Sequence, residues 1–246
     1  MKKTVFHLIL LLSVAVLFSG TAQAQTGSPV PYQEGLHYFE IEGAPAGSSD
    51  EQELVELFSY LCTHCYTFEP YMNSWKKRNA GKVGFRRIPV VFGRAAWEIY
   101  ARGYVTANMM GLGDEAHSAL MEKIWKEKAV MRTMEELAEF YSRFDVTADS
   151  FLATSKSFAV DATMRKDQRL AQVYGVRGTP SLVLNGKYRI AGNAAVPSFE
   201  VMLDIVDYLI EREHAARAES TALQGETENS VADPSADAQV ARASEG

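Results

Sequence analysis

Phe58-Ser59-Tyr60-Leu61-Cys62-Thr63-His64-Cys65-Tyr66 is the stretch on which the reading of this chain turns. Upstream of it, Glu53 to Tyr60 alternates and then runs apolar, as a strand covered on both faces does. Downstream, Thr63 to Asn79 carries aliphatic and aromatic residues at helical spacing, with Pro70 inside the segment expected to kink it. Cys62 therefore stands where a buried strand gives way to a helix. Unpaired N–H groups and the positive end of the helix dipole meet there, and both favour thiolate over thiol. Thiolate is the attacking and leaving species in disulfide exchange. Cys65, one turn on, can close a ring with Cys62, and His64 brings a side chain able to carry positive charge towards the sulfur. Such stabilisation exists only in the reduced form, so the disulfide is expected to be an oxidant.

Cysteine usage narrows the alternatives. The chain has two cysteines and no more, which excludes a disulfide-dense scaffold and a zinc site built on four cysteines. A purely structural disulfide would close so short a loop that little chain entropy is removed. A zinc site would need ligands beyond His64, and His37, His117 and His214 stand at no ligand spacing. Redox chemistry is the reading the spacing favours.

The 246 residues are 47% hydrophobic with a net charge of -6, the mix of a globular protein. At roughly 150 residues per domain the length allows one large domain or two small ones. An acidic balance argues against a nucleic-acid partner, which would call for a basic stripe. Lys2 and Lys3, the apolar run from Leu8 to Phe18 and the small residues of Ala22-Gln23-Ala24 predict a cleavable signal peptide over residues 1–24. That run falls short of the ~20 residues a bilayer span needs. A location outside the cytoplasm follows as the expectation, in a compartment where disulfides persist.

Residues 25–93 and 166–217 mix strands with helices and read as one domain, interrupted by an all-helical block over 94–165. Within it Ala95 to Met110, Glu115 to Lys128 and Thr133 to Phe144 read as helices, and a further helical segment runs from Asp149 towards Tyr174. His37 to Ile41 and Val83 to Val91 read as strands, and Gly43 to Asp50 as a loop. Ser181 to Leu184 and Tyr188 to Ile190 read as strands joined at Asn185-Gly186, a strong hairpin signal. Ser198 is a candidate N-cap for an amphipathic helix to about Arg217. Residues 218–246 hold few large apolar side chains and predict a disordered acidic tail.

A second motif lies far downstream. Val176-Arg177-Gly178-Thr179-Pro180 precedes a strand, and proline fits a paired strand poorly unless it marks an edge or a cis turn. Together with C-x-x-C after the first long strand, and with Val183-Leu184-Asn185-Gly186-Lys187-Tyr188, it resembles the DsbA family of periplasmic thiol:disulfide oxidoreductases over about residues 32–212. The resemblance implies an α/β architecture, a thioredoxin fold with an inserted all-helical domain. It implies Cys62 as nucleophile, Cys65 as buried partner, Pro180 as a cis-proline opposite them with Thr179 before it, and Glu56 as a buried acid beneath the site. Thr63 and Thr179 stand where the family's best-known member has proline and valine. The implied activity is donation of the Cys62–Cys65 disulfide to unfolded exported proteins, with no separate cofactor. A membrane partner of the DsbB type would reoxidise a monomeric enzyme. A reductase or isomerase kept reduced by a membrane partner, and a binding module or holdase with a vestigial pair, are the alternatives.

The carboxylates carry expectations of their own. Glu56 on a buried strand is costly without a partner, and Arg87 on the next strand is the candidate; strand alternation could instead turn it to an exposed face. Glu69 reads equally as a solvated helix position or a proton relay. Phe68, Tyr71, Trp75, Trp97 and Trp125 are expected to pack in the core or between domains.

Overall fold

The computed structural model describes residues 31–43 and 52–231; the signal peptide over 1–24 and most of the Gly43 to Asp50 loop lie outside them. In chain order the elements are β1 (Phe39–Glu40), β2 (Gln52–Phe58), α1 (Thr63–Arg78), β3 (Val83–Pro89), α2 (Ala95–Met109), α3 (Gly113–Trp125), α4 (Met134–Tyr141), α5 (Ala148–Ser155), α6 (Phe158–Val173), β4 (Ser181–Leu184), β5 (Tyr188–Ala191) and α7 (Phe199–Val231). The sheet order is β1-β5-β4-β2-β3, with β2 and β3 parallel and the other pairs antiparallel. This is a thioredoxin fold with a helical block inserted between β3 and β4.

Two helical layers bury the sheet, which is why β2 reads as near-continuous apolar sequence. Leu54 packs with Phe68, Met72 and Trp75 of α1 and with the α7 residues Val206 and Leu209. Val55 and Leu57 point the other way, to Ala171 and Tyr174 at the end of α6. Glu56 shares the face of Leu54, so the period of two places a carboxylate under α1, fully buried. Phe58 and Tyr60 continue into a third cluster built on α2 to α5.

Local chemistry sets the turns. Asn185 and Gly186 both take positive φ, 56° and 63°, and the Lys187 N–H donates to the Leu184 carbonyl at 2.9 Å, closing the β4–β5 hairpin. Ser198 Oγ accepts from the Val201 N–H at 3.3 Å and starts α7. α1 runs unbroken through Pro70.

Three expectations are corrected. The segment from Asp149 is two helices, because Ser157 takes an extended backbone and its Oγ accepts from the Val160 N–H as a fresh N-cap. The boundary between residues 165 and 166 falls inside α6. Val160 and Met164 belong to the helical core and Ala171 to the sheet core, so one helix serves both. Finally, α7 continues to Val231 where a disordered tail was expected from residue 218. Ala218, Glu219 and Ala222 are exposed but are good helix formers; scarcity of apolar residues signals lack of packing, not lack of helix. Residues 232–246 lie outside the described residues.

Candidate active site

Cys62 caps α1. Its backbone is extended, with φ -102° and ψ 114°, and its sulfur accepts from the Cys65 N–H at 3.4 Å, doing the work a serine or aspartate oxygen does at other helix starts. The sulfur is half-buried and lies 3.4 Å from the Thr179 carbonyl oxygen, to which the thiol donates. Cys65 faces inward and is fully buried. Both stand as free thiols.

The two thiols are driven apart in acidity. The Cys65 thiol donates a hydrogen bond to the Cys62 sulfur. With the Thr179 side chain and the backbone N–H groups of Cys65 and His64, it outweighs partial burial and lowers the Cys62 pKa to about 5. Burial, the same hydrogen bond and the charges of Cys62 and Glu56 push Cys65 far up. His64 contributes to this lowering through its backbone N–H. Its exposed side chain lines a groove with Thr179, Pro180 and Phe199. The Thr63 side chain is exposed and makes no hydrogen bond to the sulfur. The Thr179–Pro180 bond is cis, and the 177–181 loop places it beside Cys62.

Beneath Cys65 lies a chain of charged groups on four elements. Arg87 Nε donates to Glu56 Oε2 at 2.8 Å, Nη2 to Glu69 Oε1 at 3.2 Å and Nη1 to Asp114 Oδ1 at 2.7 Å. Lys76 also pairs with Asp114. His117 joins Glu69 Oε1 through Nε2 at 2.9 Å and the Tyr60 hydroxyl through Nδ1 at 3.0 Å. Burial and the charge of Arg87 lower the His117 pKa to about 4. The ring is therefore neutral at pH 7, its Nε2–H donating to Glu69 and its Nδ1 accepting from Tyr60. Burial raises Glu69, but the His117 hydrogen bond and the charge of Arg87 prevail and hold it below its ordinary value. Glu56 fares differently. Burial outweighs Arg87 and raises it to about 7, and its Oε1 has no hydrogen-bond partner.

Glu69 is buried, contrary to a solvated position, and Tyr71 is exposed on the groove rather than packed in the core. Phe68 and Trp75 are core. Trp125 stacks on Tyr66 and donates to the Tyr60 carbonyl at 2.8 Å, joining α3 to the active-site helix. Trp97 is half-buried beside Phe92 and Arg94. His117, Asp114 and Tyr60 complete this buried chain, and the sequence assigned none of them to the site. No cluster of three or more metal-ligating side chains occurs among the described residues.

A half-buried acidic thiol at a helix start, a shielded second thiol one turn on and a cis-proline loop across from them define a thiol:disulfide oxidoreductase of the thioredoxin class. A family profile for a DSBA-like thioredoxin domain matches residues 53–204. The chain is 39% identical over 208 residues to the thiol:disulfide interchange protein DsbA of Pseudomonas aeruginosa, covering 84% of this chain and 95% of that one. It is 38% identical over 203 residues to DsbA of Azotobacter vinelandii, covering 82% and 94%. The crystal structure of Pseudomonas aeruginosa DsbA superposes with a TM-score of 0.70 at 38% identity, over 76% of this chain and 97% of that one. The oxidoreductase DsbA of Xylella fastidiosa gives 0.68 at 34%, over 73% and 96%. The chain belongs to the DsbA family. The redox group of that family is the enzyme's own cysteine pair, and the DsbA relatives are periplasmic proteins.

Proposed function

We propose that this enzyme works as an oxidant, passing its Cys62–Cys65 disulfide to unfolded proteins after their export. The supporting observation is the split between the two thiols: Cys62 lowered to about 5, Cys65 pushed far up. A client thiolate attacks the accessible Cys62 sulfur. A client–Cys62 bond forms, the Cys62–Cys65 bond breaks, and Cys65 leaves and takes a proton. A second client thiolate then attacks the client sulfur of this mixed disulfide, and Cys62 leaves as the stabilised thiolate. Two electrons pass from the client thiols to the enzyme pair, and the client gains one disulfide.

Glu56 is the group positioned to supply the Cys65 proton, since a carboxyl near pH 7 is protonated in part and one of its oxygens is unpaired. Thr179 and Pro180 form the ledge against which a client strand lies, and Thr63 and His64 border it. Residues 1–24 act as the export signal to the periplasm, and a membrane partner of the DsbB type restores the disulfide of a monomeric enzyme. Within this fold, DsbA of Proteus mirabilis has been solved with a non-covalently bound peptide.

Equilibration of the purified protein with glutathione buffers tests the direction of transfer. The Cys62/Cys65 couple should be more oxidising than glutathione. A couple as reducing as that of thioredoxin, about -270 mV, would replace this reading with a reductase.

A further inference from the structure

The groove beside the reactive sulfur carries an unbalanced charge. It has a volume of about 770 Å³ and is lined by His64, the 177–181 loop and the start of α7. Arg177 and Arg189 both face it, and neither guanidinium has a carboxylate within ion-pairing distance among the described residues. Arg177 is exposed. Arg189 lies over the Phe39 ring at 4.8 Å, a contact with the face of the ring that consumes none of its N–H donors. The two cations repel: burial and then the charge of Arg177 lower the Arg189 pKa. The single carboxylate among the lining residues, Glu200, is exposed in the first turn of α7, beside its own backbone N–H, Ser198 and Tyr71. Two guanidinium groups without a carboxylate partner give this groove a positive potential that attracts an incoming anion.

The main chain shows where that anion would sit. Neither the N–H of Arg177 nor that of Thr179 donates to another backbone group among the described residues, so the loop offers an open edge. An extended segment that pairs with this edge satisfies those groups as an added strand does. With its cysteine at Cys62, beside Thr179, the residues two positions away lie on the same face of the segment. One of them is opposite Arg177.

Resting on the reading of Cys62 as the sulfur that clients attack, we propose that this groove selects client segments bearing a carboxylate two residues from the reacting cysteine, recognised by Arg177 and Arg189. The clients oxidised fastest are then acidic around their cysteines.

Two-cysteine peptides of one sequence, with Asp, Asn or Lys two residues before or after each cysteine, provide the test. The rate at which the oxidised protein closes each into a disulfide is measured at low and high salt. At low salt one Asp series should react about threefold or more faster than Asn, and Lys slower than Asn. The Asp/Asn ratio should approach one in 0.5 M salt, an ionic strength of roughly three times the physiological value, and in the Arg177→Gln and the Arg177→Gln/Arg189→Gln proteins. Asp peptides no faster than Asn at either position would overturn the proposal, as would an advantage that survives in the double variant. A protein that oxidises none of the peptides, Asn included, would overturn the oxidase reading itself and the selectivity with it.

Discussion

Arg87 and Glu56 face each other across the parallel β2–β3 pair, the guanidinium Nε 2.8 Å from the carboxylate, with both side chains shut from water. Arg87 divides its donors among three carboxylates, so Glu56 holds only part of a cation and keeps one oxygen bare. Burial outweighs that partial pairing and leaves the acid near neutrality instead of locked as a carboxylate.

Stability against pH should expose this arrangement. Glu56 is raised to about 7, so its contribution is present below the unfolded carboxyl pKa and is lost as pH climbs through 7. His117 is lowered to about 4, so its contribution is present above the unfolded imidazole pKa and is lost as pH falls through 4. Between roughly pH 4.5 and 6.5 the two slopes oppose, each at most about 1.4 kcal/mol per pH unit. Urea melts of Glu56→Gln should gain stability with rising pH over that window relative to the parent, while His117→Asn should lose it. Parallel curves for all three proteins would show that the pair does not titrate as described.

Alkylation separates the cysteines. Iodoacetamide at pH 6 should modify Cys62 of the reduced protein and leave Cys65 untouched until denaturant is added, because only one sulfur is both accessible and ionised there. Mass spectrometry of the digested protein reads the outcome, and equal labelling of the two would contradict the assignment.

Redox state and stability are linked through the same thiolate. The Cys62 pKa is lowered, so the reduced form gains stability above the folded value and loses it as pH drops through about 5. Allowing for solvent screening on the open side of the sulfur, the reduced form should gain about 1–2 kcal/mol on the oxidised form between pH 4 and pH 7. Paired denaturation curves measure the difference. A gap that does not change with pH would remove the thiolate as the source of oxidising power.

Thr179 is the most informative single site. Its carbonyl accepts from the Cys62 thiol, and its side chain, after that of Cys65, helps hold the sulfur acidic. Thr179→Val keeps the shape and deletes the donor, and should raise the Cys62 pKa by about one unit, followed by thiolate absorbance against pH. An unchanged titration would mean that the Cys65 thiol and the backbone N–H groups carry the whole effect.

Much of the fold could be read from local pattern. The segment from Glu53 to Tyr60, alternating and then apolar, announced a strand covered on both sides, and Asn185-Gly186 announced the hairpin. The active-site pair was equally legible, because a C-x-x-C at a strand-to-helix junction places its own sulfurs. The charged chain beneath it was not, although its traces are present. His117 shares one helical stripe with Leu120, Met121 and Ile124, and Glu69 shares one with Cys65, Phe68 and Met72; those spacings place both side chains inward. What spacing cannot tell is that the two stripes meet, since that depends on how α3 docks on α1. Tyr71 shows the converse, an aromatic one position off the α1 stripe and therefore on the surface. The tail misled because helix propensity and burial are separate properties, and α7 outruns its packing.

The division of α6 between the two cores has a mechanical consequence. A cut at residue 165 would leave each fragment with half a helix and an open hydrophobic wound, so neither should survive alone in solution. Heat should therefore melt the helical block and the sheet together, in one calorimetric peak whose van't Hoff and measured enthalpies agree, and not in two steps. The molecule is two lobes by topology and a single object by thermodynamics.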